Sequence, residues 1–189
     1  MTRILFQGDS ITDCGRSREN DSQKGGGYAN FVSAVLNVEH PGEYEVINRA
    51  ISGNRIVDLY ARIKADFINV KPDVLSIHIG INDVWHDVEF NNGVDAEKFE
   101  KIYDMLLTEV EEALPGIKII ILGAFLLKST ASEAKWASLS EGTKKRAEIA
   151  KRLAQKHGHI FVDLQSKFDE AIERVPEPYW TKEGVHPTE

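Results

Sequence analysis

The chain has a single cysteine, Cys14, in 189 residues. One thiol excludes an internal disulfide and any cysteine-rich metal site. No apolar run approaches the roughly 18 residues that a membrane-spanning helix needs. The start, Met1-Thr2-Arg3-Ile4-Leu5-Phe6, lacks the charged head and long apolar stretch of a secretory leader. Positive charge is also scarce: 23 Lys and Arg face 30 Asp and Glu, for a formal net charge of -7. That balance argues against nucleic acid as a partner, because such binders carry a basic surface. The small clusters Lys144-Lys145-Arg146 and Lys151-Arg152 read as solvated helix faces. Repeats, linkers and low-complexity stretches are missing too. The expectation is one compact domain over residues 1–189, located in the cytoplasm.

What is present is an alternation of strand-like and helix-like segments. Arg3–Gln7, Glu45–Asn48, Val74–Ile79, Lys118–Leu122 and Ile160–Val162 are short and rich in Ile, Val, Leu and Phe. Unbroken apolar runs of this length suit strands buried on both faces of a parallel sheet. Between them, Phe99, Ile102, Leu106, Val110 and Ala113 recur at helical spacing up to Pro115-Gly116. Ile56, Leu59, Ile63 and Phe67 form a second stripe before Pro72. Ala147, Ala150, Leu153 and Ala154 form a third, with Gly158 as its stop. Strands alternating with helices imply βαβ units: an α/β fold with five parallel strands and helices on both faces.

Ligands of such sheets bind where strands end and loops begin. Four polar blocks fall there. Gly8-Asp9-Ser10-Ile11-Thr12-Asp13 follows the first strand, Ser52-Gly53-Asn54 the second and Gly80-Ile81-Asn82-Asp83 the third. Gly184-Val185-His186-Pro187 lies beyond the fifth. A serine hydroxyl is a weak nucleophile that needs an imidazole to take its proton, and the imidazole needs a carboxylate to orient it. Ser10, His186 and Glu183, three residues before the histidine, can supply these. The backbone N–H groups of Ser10 and Gly53 and the side-chain amide of Asn82 can act as oxyanion donors. Each block alone also reads as an ordinary capping turn. Their order at successive strand ends favours a hydrolytic site.

These blocks resemble the SGNH (GDSL) hydrolases, a family of esterases and lipases, over nearly the whole chain. The family's serine, glycine, asparagine and histidine match Ser10, Gly53, Asn82 and His186. The resemblance implies a three-layer α/β/α sandwich around a five-stranded parallel sheet, the flavodoxin-like SGNH-hydrolase fold. It also implies a Ser10 nucleophile, a His186 base and an oxyanion hole of Ser10, Gly53 and Asn82. No Gly-x-Ser-x-Gly elbow occurs, so the α/β-hydrolase fold matches less well. Two departures stand out. The family usually has aspartate where this chain has Glu183; the longer side chain either reaches the imidazole or points to solvent, and the first is favoured. Relatives usually continue past His-Pro-Thr into a further helix. Its absence here suggests truncation, or an uncovered apolar surface that favours homo-oligomers.

Gly8–Arg16, Asn48–Arg55 and His78–Trp85 look most like intracellular acetyl esterases of xylo-oligosaccharides. A small-molecule ester is therefore the expected partner, and a serine esterase removing small acyl groups, acetyl in class, is the leading reading. The alternatives are a lysophospholipase or thioesterase with a longer acyl pocket, and a non-catalytic carbohydrate-binding relative. Asp9, Asn54, Trp85, Tyr179 and Trp180 are the expected substrate-binding set. Trp85 has an equal claim to be a half-buried helix-start aromatic, and Tyr179 and Trp180 to pack the closing loop. Gly25-Gly26-Gly27-Tyr28 lacks the Lys and Ser/Thr of a phosphate loop and reads as a flexible entry to the first helix. His78 reads as a satisfied core histidine. His157 and His159 flank a helix end without a credible metal-ligand set. Neither metal nor cofactor is expected.

Overall fold

The computed structural model describes residues 1–129 and 131–188. Five strands are present: β1 (Thr2–Gly8), β2 (Tyr44–Asn48), β3 (Val74–His78), β4 (Lys118–Leu122) and β5 (Ile160–Val162). They form one sheet in the order β2-β1-β3-β4-β5, with every pair parallel. Leu5 sits opposite Ile47 on one side and Leu75 on the other, and Leu75 opposite Ile119. The five apolar runs of the sequence thus become the five strands, within a residue or two at each end.

The helices are α1 (Ser10–Asp13), α2 (Tyr28–Glu39), α3 (Ile56–Ala61), α4 (Ile63–Asp66), α5 (Ile81–Phe90), α6 (Ala96–Ala113), α7 (Trp136–His157) and α8 (Leu164–Ile172). They cover both faces of the sheet. Alternate strand residues feed the two layers. Leu5, Leu75, Ile77 and Ile121 pack with Ile56 and Leu59 of α3, Phe99, Tyr103 and Leu106 of α6, and Ile149 and Leu153 of α7. On the other face Phe6 and Val46 meet Ala29 and Leu36 of α2, while Phe168 of α8 packs on Phe125, ring centroids 4.4 Å apart. Burying a side chain such as Phe99 or Leu106 completely contributes on the order of 1.5–3 kcal/mol. The largest cluster therefore carries most of the apolar stabilisation.

Helix α6 follows the sequence reading closely. Asp95 caps it by accepting a hydrogen bond from the Lys98 N–H at 2.8 Å, and Phe99, Leu106 and Val110 of its apolar stripe are buried, with Ile102 half-buried beside them. The stripe Ile56-Leu59-Ile63-Phe67, which reads as one helix, is broken at Arg62 (φ -112°, ψ 16°) into α3 and α4. The reason is tertiary. The Arg62 guanidinium reaches back to the Arg49 carbonyl, Asn54 Oδ1 and Asp66, all within 3.0 Å, and the chain bends to place it there. No helix of the described residues is long and apolar enough to cross a membrane.

Candidate active site

Strand order reverses beside β1: the chain leaves β1 for β2 on one side and returns to β3 on the other. The carboxyl ends of β1 and β3 open a crevice at such a switch point. Ser10 follows β1 there and Ile81-Asn82-Asp83 open α5 after β3.

The single turn of α1 sets the serine. Asp9 is its N-cap, Oδ1 accepting from the Ile11 N–H at 3.0 Å. Ser10 thereby stands at the first helical position, half-buried, with its hydroxyl free to meet a partner. That partner is His186, whose Nε2 lies 2.7 Å from Ser10 Oγ across 176 residues of sequence. The other ring nitrogen, Nδ1, hydrogen-bonds Glu183 Oε1, which also accepts from the backbone N–H of His186 at 3.0 Å. Glutamate in place of aspartate therefore reaches the imidazole. The loop holding both residues is tied to the segment after β4: the Leu127 N–H donates to the Gly184 carbonyl at 2.9 Å and Ser129 Oγ to the Glu183 carbonyl at 2.6 Å. An isolated bridge between Thr181 and Pro187 closes the loop on itself.

The two middle blocks are locked together. Asn82 Nδ2 donates to the Asn54 carbonyl at 3.2 Å, and the buried Asp83 carboxylate accepts from the Ile56 N–H at 3.0 Å. A primary amide has two N–H donors, so Asn82 keeps one to offer the crevice. Gly53 adopts φ +82°, and no protein atom lies within 4 Å of where its Cβ would be. The position needs glycine for its backbone, and it faces open space. Among the described residues, no turn, cap or loop hydrogen bond uses the backbone N–H of Ser10 or of Gly53. The backbone N–H groups of Ser10 and Gly53 and one N–H of the Asn82 amide are thus not spent on these loop hydrogen bonds.

Sequence reasoning missed the group that holds the Gly53 turn. Asp13, the last residue of α1, accepts from the Ser52 N–H and Oγ, both at 2.8 Å, and from Arg18 at 2.6 Å. Burial pushes its carboxyl up, but the bonds from Ser52 and Arg18 outweigh this and hold it below the ordinary range. Its only sequence signal is a position three residues after Ser10 on the same turn. Gly25-Gly26-Gly27 is not a loose entry either. It packs behind α1, with the Gly26 N–H on the Cys14 carbonyl at 2.9 Å and Tyr28 Oη 2.9 Å from Thr12 Oγ1.

The expected substrate-binding residues divide. Asp9 is fully buried, Oδ2 has no partner, and burial raises its carboxyl to about 7. It caps a helix and does not line the crevice, which corrects the expectation. Asn54 is half-buried and committed through Oδ1 to Arg62 and through its carbonyl to Asn82. Trp85 is half-buried on α5 against the cluster of Ile11, Ile81, Val84 and Val185 beneath the site. Tyr179 is 62% exposed and meets Trp180 edge-on at 4.9 Å. Trp180 spends its indole N–H on the Val175 carbonyl at 2.8 Å. His78 is buried and stacked on Phe125, but Nδ1 has no partner. Burial pulls that ring down to about 4, against a bond it donates to the Gly123 carbonyl, so it is neutral.

The crevice is open. His186 keeps 44% of its side chain exposed. A cavity of about 590 Å³ lined by Leu126, Leu127, Trp136, Phe161 and Gln165 includes neither Ser10 nor His186.

Comparison with known proteins bears on this arrangement. The family model described as "GDSL-like Lipase/Acylhydrolase family" matches residues 6–189. An acetylxylan esterase of Geobacillus stearothermophilus is 32% identical over 195 residues, covering 98% of this chain and 86% of that one. A solved structure described as a GDSL-like lipase from Parabacteroides merdae superposes with a TM-score of 0.92 at 36% identity, covering 99% of this chain and 88% of the other. A solved variant of the Geobacillus acetyl xylan esterase gives 0.88 at 31%, covering 99% and 87%. Catalytic mutants of that esterase replace a serine, an aspartate and a histidine by alanine.

Proposed function

The chain belongs to the GDSL-like lipase/acylhydrolase family and is a carboxylic ester hydrolase, and from that premise we propose that it removes acetyl groups from carbohydrate esters through an acyl-enzyme. The observation carrying this reading is the hydrogen-bonded chain Ser10–His186–Glu183 at an open crevice.

Each step follows from the groups present. His186 Nε2 takes the Ser10 proton as Oγ adds to the ester carbonyl, and Glu183 holds the imidazole by its Nδ1–H and stabilises the charge it gains. The negative oxygen is met by the N–H groups of Ser10 and Gly53 and by Asn82 Nδ2. His186 then protonates the leaving sugar alcohol. Water enters, is deprotonated by the same nitrogen, and releases acetate from Ser10. Glu183 takes the place of the aspartate found among the relative's catalytic residues, and neither metal nor cofactor is required.

The open crevice favours a short acyl group on a bulky alcohol over a long acyl chain, which would leave much apolar surface in water. Tyr179 and Trp85 supply flanking aromatic surface for a sugar ring, while Trp180 braces the loop. The reading covers residues 1–189 as one domain working in the cytoplasm on small esters. Self-association falls to the outer side of α2, where Phe31, Val35 and Val38 are exposed. Acetate release from acetylated xylo-oligosaccharides, with Ser10→Ala as control, tests the proposal. A lysophospholipase or thioesterase would instead hydrolyse nitrophenyl esters faster beyond butyrate, and such a profile overturns the acetyl reading.

A further inference from the structure

His157 and His159 look isolated in sequence, yet folding gives them a shared carboxylate. Gly158 ends α7 at φ +73°, and this left-handed turn swings the two imidazoles face to face, centroids 5.8 Å apart and planes within 15°. Both rings have only 9% of their side-chain surface exposed. Glu111 of α6, 46 residues before His157, reaches between them: Oε2 lies 2.9 Å from His157 Nδ1 and Oε1 lies 2.8 Å from His159 Nε2. The second contact lacks hydrogen-bond alignment, so His159 Nε2 is a buried nitrogen without a hydrogen-bond partner, aimed at a carboxylate oxygen.

The ion pair leaves that nitrogen close to a carboxylate but without an aligned hydrogen bond, which costs free energy in a buried polar atom. It also sets two stacked rings around one carboxylate, where protonating both is opposed by their mutual repulsion. We propose that Glu111, His157 and His159 bind a zinc-class divalent cation, with His157 Nδ1, His159 Nε2 and a Glu111 oxygen as ligands.

The ligand atoms lie within 4.8 Å of one another. Tetrahedral zinc with bonds of about 2.0–2.2 Å spaces its ligands by roughly 3.3–3.6 Å, so side-chain adjustments of under an ångström close the site. A second shell is already in place. His157 Nε2 lies 2.7 Å from Asp104 Oδ1, and Asp104 accepts from Lys156 Nζ at 2.7 Å. A carboxylate on the far ring nitrogen keeps the proton there and frees Nδ1 as a ligand, as it does for metal-bound histidines generally. The two imidazoles select zinc and its neighbours over magnesium or calcium, which prefer oxygen donors alone. Glu111 is the most exposed of the three, leaving a side for water as fourth ligand.

His159 precedes β5, so the site lies at the amino edge of the sheet, opposite Ser10. There the ion would join α6 to the α7–β5 turn and restrain a three-residue edge strand. Its role is structural, and it acts on stability.

The test uses the full chain, stripped with a chelator and titrated with zinc by calorimetry at pH 7.5, with thermal unfolding in parallel. One zinc per chain with micromolar or tighter affinity is expected. At a hundredfold excess over Kd the unfolding midpoint should rise by about 5–10 °C. Glu111→Gln and His159→Asn should each weaken binding at least tenfold, and Asp104→Asn by about 10–100-fold. His186→Ala, which removes a histidine–carboxylate pair at the opposite edge of the sheet, should leave zinc affinity unchanged. Absence of binding at 1 mM zinc, equal affinity in His159→Asn, loss in His186→Ala, or an equal shift with magnesium overturns the assignment. His159→Asn changes a loop residue, and retained esterase turnover certifies its fold independently of zinc.

Discussion

Replacing Glu183 by Gln removes one negative charge while keeping an oxygen that can accept from the His186 N–H. In the structure Oε1 takes two bonds, from that N–H at 3.0 Å and from Nδ1, so the neutral amide still holds the loop. What is lost is the charge facing the imidazolium that forms as Ser10 attacks, together with control of the tautomer. In a fully buried triad the equivalent carboxylate-to-amide change lowers kcat by about 10⁴. Glu183 keeps a third of its side-chain surface in solvent (33%), where water screens the charge. The expected loss is therefore smaller, about 10²–10³ in kcat, or roughly 3–4 kcal/mol of barrier at 1.36 kcal/mol per decade. KM for 4-nitrophenyl acetate should change less than threefold, because Glu183 touches the histidine and not the ester. Initial rates over a substrate range give both constants, and circular dichroism certifies the fold. A kcat within twofold of the parent, or a loss carried entirely by KM, would falsify the triad and leave a Ser10–His186 dyad.

Other perturbations probe the remaining parts. Asn82→Ala removes one oxyanion donor and should cost about 10²–10³ in kcat with little effect on the unfolding midpoint; a loss under tenfold removes Asn82 from the oxyanion hole. Gly53→Ala meets no neighbouring atom but imposes a left-handed backbone on a residue with Cβ, so stability should fall by about 1–2 kcal/mol in urea melts while kcat falls further. Asp9→Asn keeps the helix cap and removes a carboxyl that burial raises to about 7. The folded state holds that proton up to about pH 7, whereas the unfolded chain releases it near pH 4, so the native carboxyl destabilises progressively between those values. The variant should therefore gain about 2–3 kcal/mol more at pH 8 than at pH 5 relative to the parent. An equal gain at both pH values refutes the buried-carboxyl account.

The sheet was legible because its strands are unbroken apolar runs, and a strand buried on both faces carries no polar positions to confuse its period. Ser10, Gly53, Asn82 and His186 stood out because they fall in polar blocks after apolar runs, and the strand order brings Ser10 and His186 together. Side-chain environments were not legible. Asp9 and Asp13 belong to one motif, yet one caps a helix from a sealed interior and the other anchors the Gly53 turn; only the tertiary path of Ser52 separates them. The break at Arg62 reflects partners 13 and 8 residues back in the chain, beyond any helical periodicity. Glu111 is likewise invisible beside His157 until α6 and α7 pack.

The distance between Ser10 and His186 along the chain has a consequence for biosynthesis. Every strand of the sheet is in hand once Val162 has emerged, 24 residues before His186. The imidazole arrives only with the closing loop, which is moored by Leu127 and Ser129. On the proposed mechanism hydrolysis therefore waits until His186 has docked beside Ser10, and a product clipped before that loop is inert.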